Sequence, residues 1–304
     1  MRELDPNLME ASAEFATSGR ADASPSTACL PWPVGRKQKA PLRWSDLWRA
    51  PFHDFPIRDE ILYQYLPLTP DMDVLEIGPG SGITAFRLER RVRHVALVDA
   101  APLNIAKLRE TLRNAARFSM HSVDVCAPNL RGILGKQFDA VYALEVFEYI
   151  PQPGECLKNL AASLKPGGKL LLQFPNYPPS RTGGVTYFET KQELDRLMEA
   201  AGFEQWRFLA LKLRPGARSL YDLFHERPLR FYRRLRTDNG NPRPQTYEET
   251  WAFRKSRGIE RLRIPLNAAW MLLGALVHLA GDAFEARPLE NSIKDCNLLV
   301  LARR

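Results

Sequence analysis

Strand-like runs alternate with helical patterns through the middle of this chain of 304 residues, and no other feature restricts its fold as strongly. Short apolar runs occur at residues 74–77, 94–98, 118–123, 138–144 and 169–174, and helical spacing separates most of them. Because two parallel strands need a long crossover between them, which is usually a helix, this alternation is typical of βαβ units. We therefore predict an α/β fold with a doubly wound, mainly parallel sheet.

An N-terminal arm and an insertion flank this predicted core. Residues 1–40 are rich in Ala, Ser, Thr and Pro without a sustained period, which predicts a mobile arm. We expect residues 41–213 to form the core domain and residues 296–304 to add its last strand. Between them, residues 214–295 are first basic and then apolar, and we expect a helical insertion there that covers a substrate or contacts a membrane.

Charge and cysteine usage narrow the class of protein. The net charge of +8 is concentrated in residues 207–263, which hold fifteen Lys and Arg against six Asp and Glu, so the rest of the chain is close to neutral. Four cysteines lie far apart without a C-x-x-C pair, at Cys29, Cys126, Cys156 and Cys296. We therefore expect neither a disulfide framework nor a metal site, and a cytoplasmic protein, since the N-terminus lacks the pattern of a secretory signal.

The loop that follows the first strand carries three glycines at alternate positions. In V-L-E-I-G-P-G-S-G they are Gly78, Gly80 and Gly82, and a helical run begins at Ile83. Glycine is needed where the backbone turns tightly or approaches a ligand closely. A dinucleotide-binding loop would place its third glycine at position 83, and a phosphate-binding P-loop would end in Gly-Lys-Ser/Thr. Neither pattern is present, so the loop predicts a different cofactor.

Two acidic residues follow the next two predicted strands. Asp99 ends the second strand, where its carboxylate can accept two hydrogen bonds from a ribose diol. Asp124 follows the third strand, where it can accept a hydrogen bond from an adenine amino group. Because parallel strands end at the same edge of a sheet, the glycine loop and both acids predict one crevice.

These motifs together resemble a known family. The segments VLEIGPGSG, ALVDA, SVDV, FDAVYALEVFEYI and LKPGGKLLLQFPN, within residues 70–176, are similar to those of class I S-adenosylmethionine-dependent methyltransferases, in the same order and spacing. The small-molecule and quinone-biosynthesis type is the most similar. The resemblance implies a Rossmann-like sheet of seven strands with the last one antiparallel, S-adenosyl-L-methionine as cofactor, and methyltransferase activity.

The resemblance also assigns site residues by position. It implies that the glycine loop holds the methionine end of the cofactor, that Asp99 binds the ribose and that Asp124 binds the adenine. Glu145, after the fourth strand, borders the methionine moiety and the substrate mouth in this family. The cofactor-binding residues expected in this way are Glu76, Gly78, Pro79, Gly80, Gly82, Asp99, Ala100, Asp124, Val125 and Glu145.

The sequence does not identify a catalytic base. Where many relatives carry a histidine after the fourth strand, this chain has Glu148 followed by Tyr149. Many methyl transfers need only proximity and alignment of the acceptor with the methyl group, so a dedicated base is not required. The candidates that the pattern leaves are His53, Glu145, Tyr177 and His225.

The substrate class depends on the insertion, whose sequence allows several interpretations. Residues 264–284 are strongly apolar, but Asn267, His278 and Asp282 share a narrow stripe with two glycines. This segment is a buried packing helix, a helix at a membrane surface, or a span. We expect a small, apolar or lipid-like acceptor. The alternatives are docking of RNA or protein on the basic stretch and a non-catalytic cofactor-binding subunit. Nucleic acid is disfavoured because aromatic residues do not alternate with the basic ones.

Overall fold

The computed structural model describes residues 47–51, 58, 60–112, 114, 116–227, 262–280, 282–289 and 292–304. The predicted arm at residues 1–40 and the central part of the insertion, residues 228–261, lie outside the described residues. Both remain predictions, as do the boundaries expected for the core domain.

Eight strands and nine α-helices are present in the described part of the chain. The strands are β1 (Asp73–Ile77), β2 (His94–Asp99), β3 (Phe118–Ser122), β4 (Phe138–Leu144), β5 (Leu164–Asn176), β6 (Gln205–Leu213), β7 (Phe284–Pro288) and β8 (Cys296–Arg303). The helices are α1 (Glu60–Tyr65), α2 (Ile83–Leu88), α3 (Pro102–Thr111), α4 (Leu130–Leu134), α5 (Pro153–Ser163), α6 (Pro179–Thr182), α7 (Lys191–Ala200), α8 (Pro215–Tyr221) and α9 (Arg263–Ala280). A 3-10 turn, Phe147–Tyr149, follows β4, and a π-helical turn, Asp222–Glu226, continues α8.

All eight strands form one sheet in the order β3-β2-β1-β4-β5-β8-β6-β7. Strands β1 to β5 are parallel to one another, and β8 is antiparallel to both β5 and β6. The predicted α/β fold, with a mainly parallel sheet and an antiparallel last strand, is thereby confirmed. The sheet has one strand more than the seven expected, because Phe284–Pro288, in the segment predicted to be helical, pairs with β6 as an edge strand.

The central strands are apolar on both sides because helices cover both faces of the sheet. All five residues of β1 are buried, and so are six of the seven residues of β4. Val74 packs in one apolar cluster while its neighbours Leu75 and Ile77 pack in the other, as expected for side chains that alternate between the faces of a strand. The two clusters hold the carboxyl ends of the strands in fixed positions.

The insertion packs against the same end of the sheet. Helix α8 begins two residues after β6 ends, and helix α9 packs against α8. Asn267, on the stripe interpreted from sequence as wetter or closely packed, is buried, and its Nδ2 donates to the carbonyl of Pro51 at 2.9 Å. Asn267 therefore lies on the packed face of α9. None of the helices in the described ranges is long and apolar enough to cross a bilayer.

A side-chain amide joins α1 to the edge strand β7. Gln64 Nε2 donates to the carbonyl of Phe284 at 2.5 Å, and Gln64 Oε1 accepts from the amide of Phe284 at 3.2 Å. Phe284 is buried, so water cannot readily replace Gln64 as the hydrogen-bond partner of its amide and carbonyl groups.

We predict that Gln64→Ala lowers the free energy of unfolding by about 1–3 kcal/mol, because the Phe284 amide loses its acceptor and the Phe284 carbonyl is left with the longer contact from the Tyr65 hydroxyl, at 3.5 Å. Urea unfolding measures this change. Gln205→Ala, at an exposed position, is the matched control and is expected to have an effect within about 0.5 kcal/mol. Equal effects of the two substitutions would contradict the structural role of Gln64.

Candidate cofactor site

The glycine loop is held between the ends of β1 and β2. The amide of Gly78 donates to the carbonyl of Val98 at 2.8 Å, and the amide of Gly82 donates to the carbonyl of Pro79 at 2.9 Å. Gly78, Gly80 and Gly82 all have positive φ angles, of 64°, 54° and 78°. Residues with a Cβ rarely adopt this conformation, so all three positions favour glycine.

The three glycines differ in what surrounds them. A Cβ added to Gly78 would lie 2.4 Å from the Val146 side chain, and one added to Gly82 would lie 2.5 Å from the Leu108 side chain. At these two positions the absence of a side chain lets neighbouring elements pack. Gly80 is exposed, and a Cβ there would meet no atom within 4 Å. The loop is therefore open at Gly80, where a ligand can approach the backbone.

Asp99 lies half-buried at the end of β2 and is held by its own helix. One carboxylate oxygen accepts from the amide of Ala101 at 2.8 Å, and the other accepts from the side-chain amide of the buried Asn104. Asp99 thus orders the first turn of α3. Each carboxylate oxygen has a further lone pair, so the same contacts orient the carboxylate toward a donor at the sheet edge. Ala100, next to it, is exposed.

Asp124 and Val125 lie in the loop after β3, next to Asp99. The amide of Val123 donates to the carbonyl of Asp99 at 3.1 Å, which joins the two strand ends. Asp124 is exposed, with one carboxylate oxygen accepting from the amide of Cys126 at 2.8 Å, whereas Val125 is buried. The Asp124 carboxylate can accept a hydrogen bond from the edge of an aromatic base, and the apolar Val125 side chain can pack on its face. Asn159 of α5 holds this loop, since its Nδ2 donates to the carbonyl of Val125 at 2.8 Å.

Glu145 follows β4 in a strained backbone conformation. Its φ angle is 55°, which is uncommon for a residue other than glycine, and its amide donates to the carbonyl of Gln173 at 2.7 Å. Its carboxylate accepts from Gln173 Nε2 at 3.3 Å and lies 3.8 Å from the Arg58 guanidinium. Gln173 is buried, and its Oε1 has no hydrogen-bond partner among the described residues. A bound molecule at this edge can supply the missing donor.

Glu148 is a buried carboxyl group on the 3-10 turn after β4. Only 2% of the residue is exposed, and its Oε2 lacks a hydrogen-bond partner within the described ranges. Burial raises the pKa of the Glu148 carboxyl to about 8, the Glu145 carboxylate adds to this increase, and Arg58 opposes it. The group therefore exchanges its proton near neutral pH.

The other predicted residues lie apart from this arrangement or cannot be placed in it. Glu76 is buried within β1 and Pro79 is buried in the loop. Tyr177 lies just beyond β5, where the Arg181 guanidinium stacks 4.2 Å from the centre of its ring. His53 lies outside the described residues, and His225 belongs to the π-helical turn with a side chain that is not described. These residues remain predictions.

Several polar residues that support the site were given no role from the sequence: Asn104, Asn159, Gln173 and Glu148. Three of them, Asn104, Gln173 and Glu148, have an apolar or aromatic residue on either side in the sequence. A polar residue in an apolar run is the signal that could have marked them, because such a residue is buried only with a partner or a function.

The carboxyl edge of the sheet fits S-adenosylmethionine. Gly80 leaves open space beside the loop, Asp99 and Asp124 carry carboxylate oxygens that can accept hydrogen bonds from a ribose or an adenine amino group, and Gln173 Oε1 has no hydrogen-bond partner among the described residues. The fold and this edge are those of an α/β protein whose ligand is expected at the carboxyl ends of its parallel strands.

Comparison with known proteins identifies the family. Residues 53–208, half of the chain, match the family model described as the methyltransferase domain. The chain therefore belongs to the methyltransferase domain family, which confirms the predicted class I S-adenosylmethionine-dependent methyltransferase and its cofactor.

Individual relatives match only in part. The chain is 31% identical over 132 residues to a ubiquinone biosynthesis O-methyltransferase of Xylella fastidiosa, covering 42% of this chain and 52% of that protein. The protein of the same name from Acinetobacter baylyi is 27% identical over 154 residues, with coverages of 49% and 64%. The chain thus spans only about half to two thirds of the curated relatives. A phosphoethanolamine N-methyltransferase 2 of Haemonchus contortus, solved with S-adenosyl-L-methionine, aligns over 89% of this chain and 54% of that one at 18% identity and a TM-score of 0.45, a similarity too low to support a conclusion.

We predict that Glu148→Gln changes how stability depends on pH. In the folded chain Glu148 holds its proton up to about pH 8, whereas the unfolded chain releases it near the ordinary pKa of glutamate. The wild-type protein therefore loses stability from Glu148 as pH rises between these values. The substitution removes this loss. The free energy of unfolding of the variant, relative to that of wild type, is therefore a few kcal/mol higher at pH 9 than at pH 5.

Urea unfolding of both proteins at the two pH values measures the difference, with Glu155→Gln, at an exposed glutamate, as the control. A Glu148→Gln variant whose stability relative to wild type is the same at both pH values would contradict the buried, proton-holding carboxyl.

Proposed function

We propose that the chain transfers the methyl group of S-adenosylmethionine to a small, apolar or lipid-like acceptor. The proposal rests on the carboxyl edge of the sheet. Four features lie at this edge, namely the open glycine loop, Asp99, Asp124 and Glu145, and the insertion packs beside it. The relatives named ubiquinone biosynthesis O-methyltransferases support an acceptor of this kind and an oxygen atom as the methylated position.

The cofactor has a defined orientation in this proposal. Asp99, with Ala100 beside it, accepts from the ribose hydroxyls, and Asp124 accepts from the adenine amino group while Val125 packs on the ring. The loop from Gly78 to Gly82, with Glu76, holds the methionine end, and Glu145 borders it on the acceptor side. The charge-assisted hydrogen bonds that the carboxylates accept are stronger than hydrogen bonds between neutral groups.

The chain acts mainly by positioning. When bound, S-adenosylmethionine would supply an electrophilic methyl group on its sulfonium. An acceptor oxygen aligned with the methyl carbon would form the O–C bond as the C–S bond breaks, with S-adenosylhomocysteine as the leaving group and the hydroxyl proton passing to a base or to water. Ordered residues such as Asp99, fixed by Ala101 and Asn104, hold the reactants without reorganisation. His53, Glu145, Tyr177 and His225 are the candidates for receiving the proton of an acceptor hydroxyl.

Apolar packing between the insertion and the end of β4 supports an apolar acceptor. Tyr221 of α8 and Leu273 of α9 pack in the same cluster as Leu144, which is the last residue of β4. Burial raises the pKa of the Tyr221 hydroxyl well above its ordinary value, and Glu226 and then Glu145 add to the increase. Helix α8 is therefore close enough to the end of β4 for the Glu145 charge to act on Tyr221.

The proposed activity is tested with methyl-labelled S-adenosylmethionine and a cell extract separated into lipid, RNA and protein fractions. We expect label in the organic phase, because the acceptor is apolar. Label in the RNA or protein fraction would contradict the acceptor class. Label in no fraction, from a protein that still binds S-adenosylhomocysteine, would favour a non-catalytic subunit and contradict the activity.

We predict that Gly80→Ala weakens binding of S-adenosylhomocysteine at least tenfold, because the added Cβ projects into the open space where the cofactor approaches. Gly135→Ala is a matched control, since Gly135 also has a positive φ angle, of 70°, and no atom within 4 Å of an added Cβ. Both variants carry a similar conformational cost of about 1–2 kcal/mol. Isothermal titration with S-adenosylhomocysteine measures the affinity of both variants, and an equal loss of affinity in the two would refute the role of Gly80.

A further inference from the structure

The outward face of α9 consists of apolar residues. Every residue of this helix whose side chain is described and exposed is apolar, and these residues repeat at helical spacing along one side. They are Pro265, Ala269, Leu272, Ala275 and Leu279. Leu272 is 47% exposed and Leu279 is 82% exposed. We call these five residues the outer face of α9; it extends for about 20 Å along the helix axis.

The inward face of α9 carries the polar contacts instead. Asn267 is buried and donates to the carbonyl of Pro51, and the Arg263 guanidinium donates to the carbonyls of Ala50 and Trp48. Trp270 and Leu273 pack on the same side. Val277 is buried there too, so α9 has the inward apolar stripe of an ordinary surface helix. What differs is the outward face, which carries polar residues in a surface helix in water and is apolar in α9. The inward contacts fix α9 with its apolar outer face turned away from the core.

Other exposed apolar side chains surround this helix. Of the nine large apolar side chains that are exposed among the described residues, six belong to α9 or to segments in contact with it. These six are Trp48, Leu223, Phe224, Leu262, Leu272 and Leu279. Such a concentration of exposed apolar surface marks an interaction site rather than scattered surface residues.

Positive charge lies next to the outer face. Arg214, Arg218 and Arg227, in or next to α8 and its π-helical turn, are exposed, and α8 packs against α9. Two of the three have acidic neighbours, since Arg214 lies 3.9 Å from Asp282 and Arg227 lies 2.9 Å from Asp222. The sequence of residues 207–263 has nine more basic than acidic residues. An apolar face without hydrogen-bonding side chains, beside basic residues, complements the acyl chains and the headgroups of an anionic lipid surface.

We propose that the outer face of α9 docks the protein on the surface of an anionic phospholipid membrane. The helix lies in the plane of the interface, with Leu272 and Leu279 among the acyl chains, while the neighbouring arginines contact the headgroups. This inference goes beyond the proposed methyl transfer and does not depend on it, since docking needs neither cofactor nor acceptor.

Sedimentation of the full chain with phosphatidylcholine vesicles, with and without phosphatidylglycerol, tests the docking. We expect binding to the vesicles that contain phosphatidylglycerol, and at least tenfold weaker binding for Leu272→Glu combined with Leu279→Glu. Ile133→Glu, at a residue on α4 that is 48% exposed, is the matched control and is expected to bind like wild type. Ala275→Glu, at an exposed helical position with little packing, repeats the test where the double variant fails to fold.

Several results would overturn the proposal. These are no binding of the wild-type chain to anionic vesicles, binding that is independent of phosphatidylglycerol, or equal loss in the Ile133→Glu control. A dimer in solution that Leu279→Glu dissolves, without vesicle binding, would assign the outer face to a second copy of the chain instead. Titration with S-adenosylhomocysteine in the same samples separates this outcome from failure of the proposed function, because the cofactor site lies on other elements.

Discussion

Parallel pairing of β1 with β2 and β4 is the constraint on which the site depends. Backbone hydrogen bonds continue the parallel pairing beyond the strand ends: from Gly78 to Val98 for β1 with β2, from Val123 to Asp99 for β3 with β2, and from Glu145 to Gln173 for β4 with β5. Because all these strands end at one edge, residues far apart in sequence present backbone and carboxylate groups to one volume. The buried strands therefore determine where the groups proposed to bind the cofactor lie, and the loops determine which groups these are.

Much of the fold could be predicted because buried parallel strands have a strong pattern. The apolar runs at residues 74–77 and 138–144 differ from β1 and β4 by at most one residue at either end. Strand β7 was missed because F-E-A-R-P is short, lies at the sheet edge and has half-buried or exposed residues beyond Phe284. An edge strand depends on its partner more than on its own composition.

The site was predictable only where a residue type is restricted by backbone geometry or charge. The spacing of Gly78, Gly80 and Gly82 predicted a loop, but only their surroundings separate the two packing glycines from the open one. Glu148 was passed over because sequence does not reveal the burial that raises its pKa. For α9 the pattern gave a narrow polar stripe and a broad apolar face, yet which of them faces the core depends on tertiary contacts such as Asn267 with Pro51.

We infer that S-adenosylmethionine binds at one sheet edge, through the glycine loop and the two acids. A crystal structure of the chain with S-adenosylhomocysteine tests this inference. We expect density over the loop at Gly80, with the ribose hydroxyls within hydrogen-bond distance of Asp99 and the adenine amino group within that distance of Asp124. Density at another part of the sheet, or a ribose that does not contact Asp99, would contradict it.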